Sequence, residues 1–270
     1  MQKSEHAFFY RGIDWSRPWY AAVLAAAQRV LAQGNWRDAL NAEAKQRGLI
    51  NHQGLPLCFI TQEELPEGAA YEAHISATGK VPTRENLHDF FNALVWLSFP
   101  LIKRQLNALQ AAQIAELGIG KSRGPARDAA TIFDENAAFL VIEKSAQGQQ
   151  LLEQLQQHQW QAALHGGASM FGSKAQVWSF GHALMEKLVQ PYKGITAHSW
   201  VVWVAPDFFS LNQEQQSAWI DASVAAQLQQ HDLTTNDYTP LPVLGVPTWF
   251  AGQDAAFYQD KSVFRDKRSS

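Results

Sequence analysis

Thr83-Arg-Glu-Asn-Leu-His-Asp-Phe-Phe-Asn-Ala-Leu-Val-Trp-Leu-Ser-Phe-Pro100 is the stretch that decides the fold class. Thr83 reads as an N-cap, Glu85 and Asn86 fall in the first turn, and Leu87, Phe90, Phe91, Leu94, Val95 and Leu97 follow at helical spacing. A helix that is apolar on most of its faces belongs inside a core. Phe99-Pro100 breaks or kinks it, since proline lacks a backbone N–H and clashes with the preceding turn, and Leu101 to Leu117 continues as a second helix ended by Gly118 and Gly120.

Towards the N-terminus, Pro18 opens a helix over Trp19 to Gln33, a second covers Trp36 to Arg47, and Leu55 to Thr61 is a strand. The stretch from Pro66 to Pro82 reads as a surface loop with some extended structure. On the other side, Ala129 to Phe133 and Phe139 to Glu143 read as a hairpin turning at Asp134-Glu-Asn136. A Gln-rich helix from Gln147 to His158 follows. Gln176 to Phe180 is either a short strand or the opening turn of the next helix, with Gly181 as the hinge. Ile195 to Val204 is a strand, Ser210 to Gln213 a capping box for a helix reaching Gln230, and an irregular tail begins at about Thr239. Helical pairs with isolated strands, instead of βαβ alternation, give an α+β class: one domain over residues 1–270, with central apolar helices and a small mixed or antiparallel sheet.

Composition narrows the function classes. A hydrophobic fraction of 46% against 17% charged is that of a globular chain, and a net charge of -3 without a basic face argues against nucleic-acid binding. The single Cys58 excludes an internal disulfide framework; it lies in an apolar run and reads as a small buried hydrophobe in a reducing compartment. No leader pattern is evident, and the apolar run Trp200 to Ala205 is far too short to span a bilayer, so a cytoplasmic protein without a membrane partner is expected. Ten tryptophans suit bulky cores or aromatic-walled pockets, with the core the better account of most of them. The sequence sets no oligomeric state.

Chemistry-bearing side chains concentrate between Trp178 and His198. His182 and Glu186 are four apart and share a helix face, and His198 follows a Pro-Tyr-Lys193-Gly turn that could fold it back. His182, Glu186 and His198 have the residue types of a two-histidine, one-carboxylate site for a divalent metal, with His88 as a further ligand. The alternative is a plain i,i+4 pair on a solvated helix. His88, Asp89 and Asn92 interrupt the central apolar helix, as a base or ligand with its orienters or as a buried hydrogen-bond network. Arg123, Arg127 and Asp128 flank Gly124-Pro125, where guanidinium forks suit a carboxylate or phosphate; an ion-pair network from Arg127 to Asp128 or Asp134 is the structural alternative. Lys193 joins this substrate-binding set. Gly118-Ile-Gly-Lys-Ser-Arg-Gly124 lacks the spacing of a phosphate loop and follows a helix, and Gly167-Ala-Ser-Met-Phe-Gly172 lacks the spacing of a nucleophile elbow.

Five strings in this order, Asn86-Leu-His-Asp-Phe-Phe-Asn-Ala-Leu-Val-Trp96, Arg123-Gly-Pro-Ala-Arg-Asp-Ala129, Phe133-Asp-Glu135, Phe180-Gly-His-Ala-Leu-Met-Glu-Lys-Leu188 and Leu241-Pro-Val-Leu-Gly-Val-Pro247, resemble the bacterial family catalogued as domain of unknown function 3025. The resemblance implies a single domain running nearly end to end; no activity follows from it. The residues themselves favour an enzyme, a hydrolase or group transferase acting on a small anionic substrate through a His/Asp/Glu/Arg cleft. The competing expectation is a non-catalytic binding or scaffold protein whose polar clusters are structural.

Overall fold

A computed structural model describes residues 8–118 and 125–267. Arg123 therefore lies outside the described residues. Helix α1 (Ala21–Leu31) follows a 3-10 turn at Pro18–Tyr20, and α2 (Trp36–Gln46) is capped by the Asn35 side chain, which accepts from the backbone N–H groups of Arg37 and Asp38. Strand β1 (Cys58–Ile60) pairs in parallel with β2 (Lys80–Pro82).

Between these strands the expected loop is instead helix α3 (Tyr71–Thr78), closed by Gly79 at φ 72°. Its apolar residues follow no clear helical repeat, and Gly79 is the local mark of its end. A Cβ on Gly79 would lie 2.3 Å from the Pro56 carbonyl oxygen, so both conformation and space require glycine.

The central helix is α4 (Leu87–Ser98), and its cap is Asn86, not Thr83: Asn86 accepts from the Asp89 N–H at 2.8 Å, whereas the Thr83 hydroxyl donates to the Val81 carbonyl. Every residue from Asp89 to Leu97 is buried. Helix α5 (Pro100–Leu117) restarts directly at the proline, which is well tolerated in a first turn. Its opening N–H groups are satisfied from α9 (Gln213–Gln230): Asp221 accepts from Leu101 at 3.0 Å and Ile102 at 2.9 Å. The capping box of α9 is Asn212 with Gln215, two residues beyond the expected one.

The hairpin expected at 129–143 does not form. Helix α6 (Pro125–Asn136) turns straight into β3 (Ala137–Glu143). Proline at the first helical position and Ala129, Ala130 and Phe133 buried on one face outweigh the β-prone Thr131-Ile132 pair. Strand β3 is buried at all seven positions, as a strand covered on both faces must be. It sits inside a four-stranded mixed sheet of order β4-β3-β5-β6, antiparallel to β4 (Ala175–Ser179) and parallel to β5 (Thr196–Val204). Helix α7 (Ala146–Gln156), capped by Ser145, leads from β3 towards β4, and α8 (His182–Lys187) leads from β4 towards β5. The expected irregular tail opens with an ordered strand, β6 (Thr239–Pro242), antiparallel to β5. One continuous cluster of buried apolar side chains runs from Ile13 to Phe264. This is an α+β architecture. Among the described residues no helix is long and apolar enough to cross a membrane.

Candidate functional site

A polar cleft of about 480 Å³ is lined by residues of α3, α4, α6 and α8, by Gln110 of α5 and by the segments that lead into α3 and α4. The first turn of α4 presents His88, whose side chain is 35% exposed. One residue on, Asp89 is gripped by Arg84 through a two-pronged ion pair of 2.9 and 3.0 Å, so this carboxylate is committed to bracing the helix entry. One turn further, the Asn92 amide donates to the Tyr71 hydroxyl at 2.9 Å and its oxygen accepts from Lys103 at 2.9 Å.

His182 opens α8 and is only 5% exposed. Gly181 makes that position available: its N–H and that of Phe180 both donate to the Ala137 carbonyl, and a Cβ there would lie 2.4 Å from the Glu135 carbonyl oxygen and 2.5 Å from the Asn136 nitrogen. The strand-to-helix turn is thereby pressed onto the α6–β3 junction. From behind, Tyr20 donates to the Met185 carbonyl at 3.1 Å.

A chain of contacts crosses the cleft wall. Glu186 Oε2 lies 3.0 Å from His88 Nδ1, His88 Nε2 lies 3.0 Å from His182 Nε2, and His182 Nδ1 lies 3.9 Å from Asp134 Oδ2. Beyond it, Lys103 donates to Asp134 Oδ1 at 2.5 Å. Burial chiefly, with Lys103 and His88 adding to it against the opposing pull of Asp134, brings His182 down to about 4, so its imidazole is neutral at neutral pH. Burial alone would raise the Asp134 carboxyl, but the Lys103 charge, His182 and the Lys103 hydrogen bond together hold it below its ordinary value. Tyr71 lies well above its ordinary value, through burial first and then the neighbouring carboxylates Glu72, Asp89 and Asp134. Glu72 is raised by burial, against the opposing effects of Lys103 and the Asn107 hydrogen bond.

One assignment of the ring protons lets this chain of groups relay a proton: His88 Nδ1–H donates to Glu186 and His182 Nε2–H donates to His88 Nε2, which leaves His182 Nδ1 as an acceptor. Adding one proton at His182 Nδ1 passes the Nε2 proton across to His88. His182 Nδ1 is one of two cleft-lining atoms that are buried without a hydrogen-bond partner among the described residues. The other is Arg127 Nε, and Arg127 forms no ion pair with Asp128 or Asp134.

Of the residues singled out from the sequence, His88, Asp89, Asn92, His182 and Arg127 line this cleft, and Glu186 reaches it through His88. Among the described residues, Asp128, Lys193 and His198 lie apart from the lining. Asp128 is exposed on the first turn of α6, since that segment is helical and makes no hairpin turn. Lys193 pairs with Asp260 at 2.8 Å and lies over the Phe257 ring. His198 sits on β5 beside Asn136 and Tyr238, with Nδ1 2.8 Å from the Asn136 amide nitrogen. His182, Glu186 and His198 are not gathered: among the described residues no three His, Cys, Asp or Glu side chains are grouped to hold a metal ion. The extended β5 carries His198 along the sheet, so the turn at Lys193 does not fold it back. Asp134, Lys103, Tyr71 and Glu72 were missed, although unmatched charges within otherwise apolar helix faces were the signal for the first two.

A family model described as a protein of unknown function, DUF3025, matches residues 57–268. The chain belongs to that family. Every residue lining the cleft, from Gln62 to His182, falls inside the DUF3025 match. No curated protein and no solved structure matches the chain.

Proposed function

We propose that the cleft is the active site of an enzyme performing acid–base-assisted hydrolysis or group transfer on a small anionic substrate. The observation that carries this reading is the unpartnered Nδ1 of a buried, neutral His182 whose other nitrogen contacts a carboxylate-held His88. In a hydrolysis, His182 Nδ1 takes the proton of the attacking water while Nε2 hands its own to His88. The bond to the leaving group breaks, and the proton returns to that group. Arg127, with an unsatisfied N–H, would receive the anionic moiety. Asp134 and Lys103 position His182, and Asp89 and Asn92 set the entry of α4.

The test is turnover of p-nitrophenyl phosphate, sulfate and carboxylate esters by the purified chain and by His182→Asn and His88→Asn variants. General acid–base participation predicts a loss of about 10²–10⁴ in rate for either variant with far-UV circular dichroism unchanged. Turnover that the His182 variant leaves untouched sinks the proposal, as does an absence of turnover together with no stabilisation by phosphate, sulfate or carboxylates.

A second reading, a non-catalytic binding or scaffold protein, draws on the groups that already brace one another, namely Arg84 with Asp89, Lys103 with Asp134 and Asn107 with Glu72. It predicts that the histidine variants lose stability and nothing else.

A further inference from the structure

A second pocket, of about 350 Å³, opens where β4 meets the start of α1, the start of α9 and the loop after β6. Its chemistry is the opposite of the cleft's. Among the described residues no charged side chain and no histidine lines it; its walls are Trp178, Trp249 and Phe171, and its polar groups are three glutamines, Ser179 and Thr248.

The glutamines are oriented by partners that leave no choice of rotamer. The indole N–H of Trp178 can only donate, so at 2.9 Å it fixes Gln176 with its oxygen inward and its amide N–H₂ free. Gln213 and Gln216 each donate to a backbone carbonyl, of Ala21 and Phe208 respectively, which leaves both amide oxygens free. The pocket thus offers one donor and two acceptors on side chains braced at their other ends. The Ser179 hydroxyl, buried and without a hydrogen-bond partner among the described residues, lies beneath the surface of the pocket, on the other face of β4 from Gln176 and Trp178.

An independent sign comes from Thr248, which lines the pocket at φ 72°. A β-branched residue in the left-handed region is strained, and such strain concentrates where a chain clamps a ligand. Gln253 enforces it, accepting from the Thr248 N–H at 2.8 Å and donating to the carbonyls of Leu244 and Val246 at 2.7 Å.

We propose that this pocket binds an uncharged saccharide. The absence of charge disfavours phosphates, carboxylates and amines, whose desolvation nothing here would offset. Free donors and acceptors side by side suit hydroxyl groups, each of which can do both, and the uncovered edges of Trp178 and Trp249 beside Phe171 suit the C–H groups of a sugar ring.

Calorimetric titration of the full chain tests this, with glucose, maltose and N-acetylglucosamine as neutral probes, glucose 6-phosphate and glucuronate as charged ones, and adenosine as a planar uncharged control. Saturable binding of a neutral sugar is expected, with charged counterparts much weaker. Gln176→Leu, which removes the free amide donor, should weaken it about fivefold, one neutral hydrogen bond's worth. Thr248→Gly should raise Tm while weakening binding, and it serves as the second variant if the first misfolds. Binding of no neutral sugar, equal binding of charged sugars, preference for adenosine, or affinity unchanged in both variants would each overturn the assignment.

Discussion

His182 carries the most exposed consequence of the cleft's design, because its ring is held neutral out of water. Its value of about 4 in the folded chain lies below the ordinary 6.5. Between those values the unfolded chain holds a proton that the native chain lacks, so native stability falls as pH drops through that window, by about 3 kcal/mol at full shift. Asp221, on α9, acts with the opposite sign. Burial raises it from 3.8 to about 6, so the stability it contributes is present at low pH and lost as pH rises through that range. The two effects overlap and partly cancel in a raw profile. The informative quantity is the difference between wild type and His182→Gln: urea denaturation from pH 7 down towards pH 4 should find the variant distinctly less acid-sensitive. Gly181 permits a sharper test of position. The atoms a methyl would strike are backbone atoms of Glu135 and Asn136, which cannot rotate aside. Gly181→Ala should cost about 1–3 kcal/mol by overpacking, visible in thermal denaturation, and should shift the imidazole signals of His182 and His88 in a nuclear magnetic resonance titration.

Among the elements, α5 depends on a cap it does not own, since Asp221 of α9 satisfies its first free N–H groups. Asp221→Ala should destabilise the fold by about 1–3 kcal/mol, measured by chemical denaturation, whereas Asp221→Asn, which keeps one acceptor, should cost less. Elements of this kind also separate what could be read in the sequence from what could not. Helices α4 and α5 and strand β5 were legible because their apolar repeats are long and unbroken. Helix α3 was not, because Tyr71, His74 and Ser76 blur its periodicity, and α6 has the local pattern of half a hairpin because β-propensity at Thr131-Ile132 yields to packing of Phe133 and Ala130 only in the folded chain. The site inherited those errors. Reading Asp134 as a turn residue and Tyr71 and Glu72 as loop residues hid three cleft residues, while His88, Asn92 and His182 stood out because polar groups on apolar faces need partners.

For the molecule as a whole, the segment after Tyr238 is part of the core: Leu241, Val243, Leu244, Val246 and Phe264 are all buried. A chain truncated after Tyr238 should therefore fail to fold, giving insoluble or protease-sensitive material where the full chain resists limited proteolysis. Strand β6 has one more consequence, which follows from its two prolines. Val243 donates its N–H inward to the Ile195 carbonyl at 2.9 Å, and alternate residues of a strand point the same way, so Leu241 also faces β5 while Pro240 and Pro242 occupy the outward slots. The outer rim of the sheet on that side has lost the donors a neighbouring strand would need. Growth of the sheet into a second molecule, the ordinary route from an open edge to aggregation, is chemically blocked along β6.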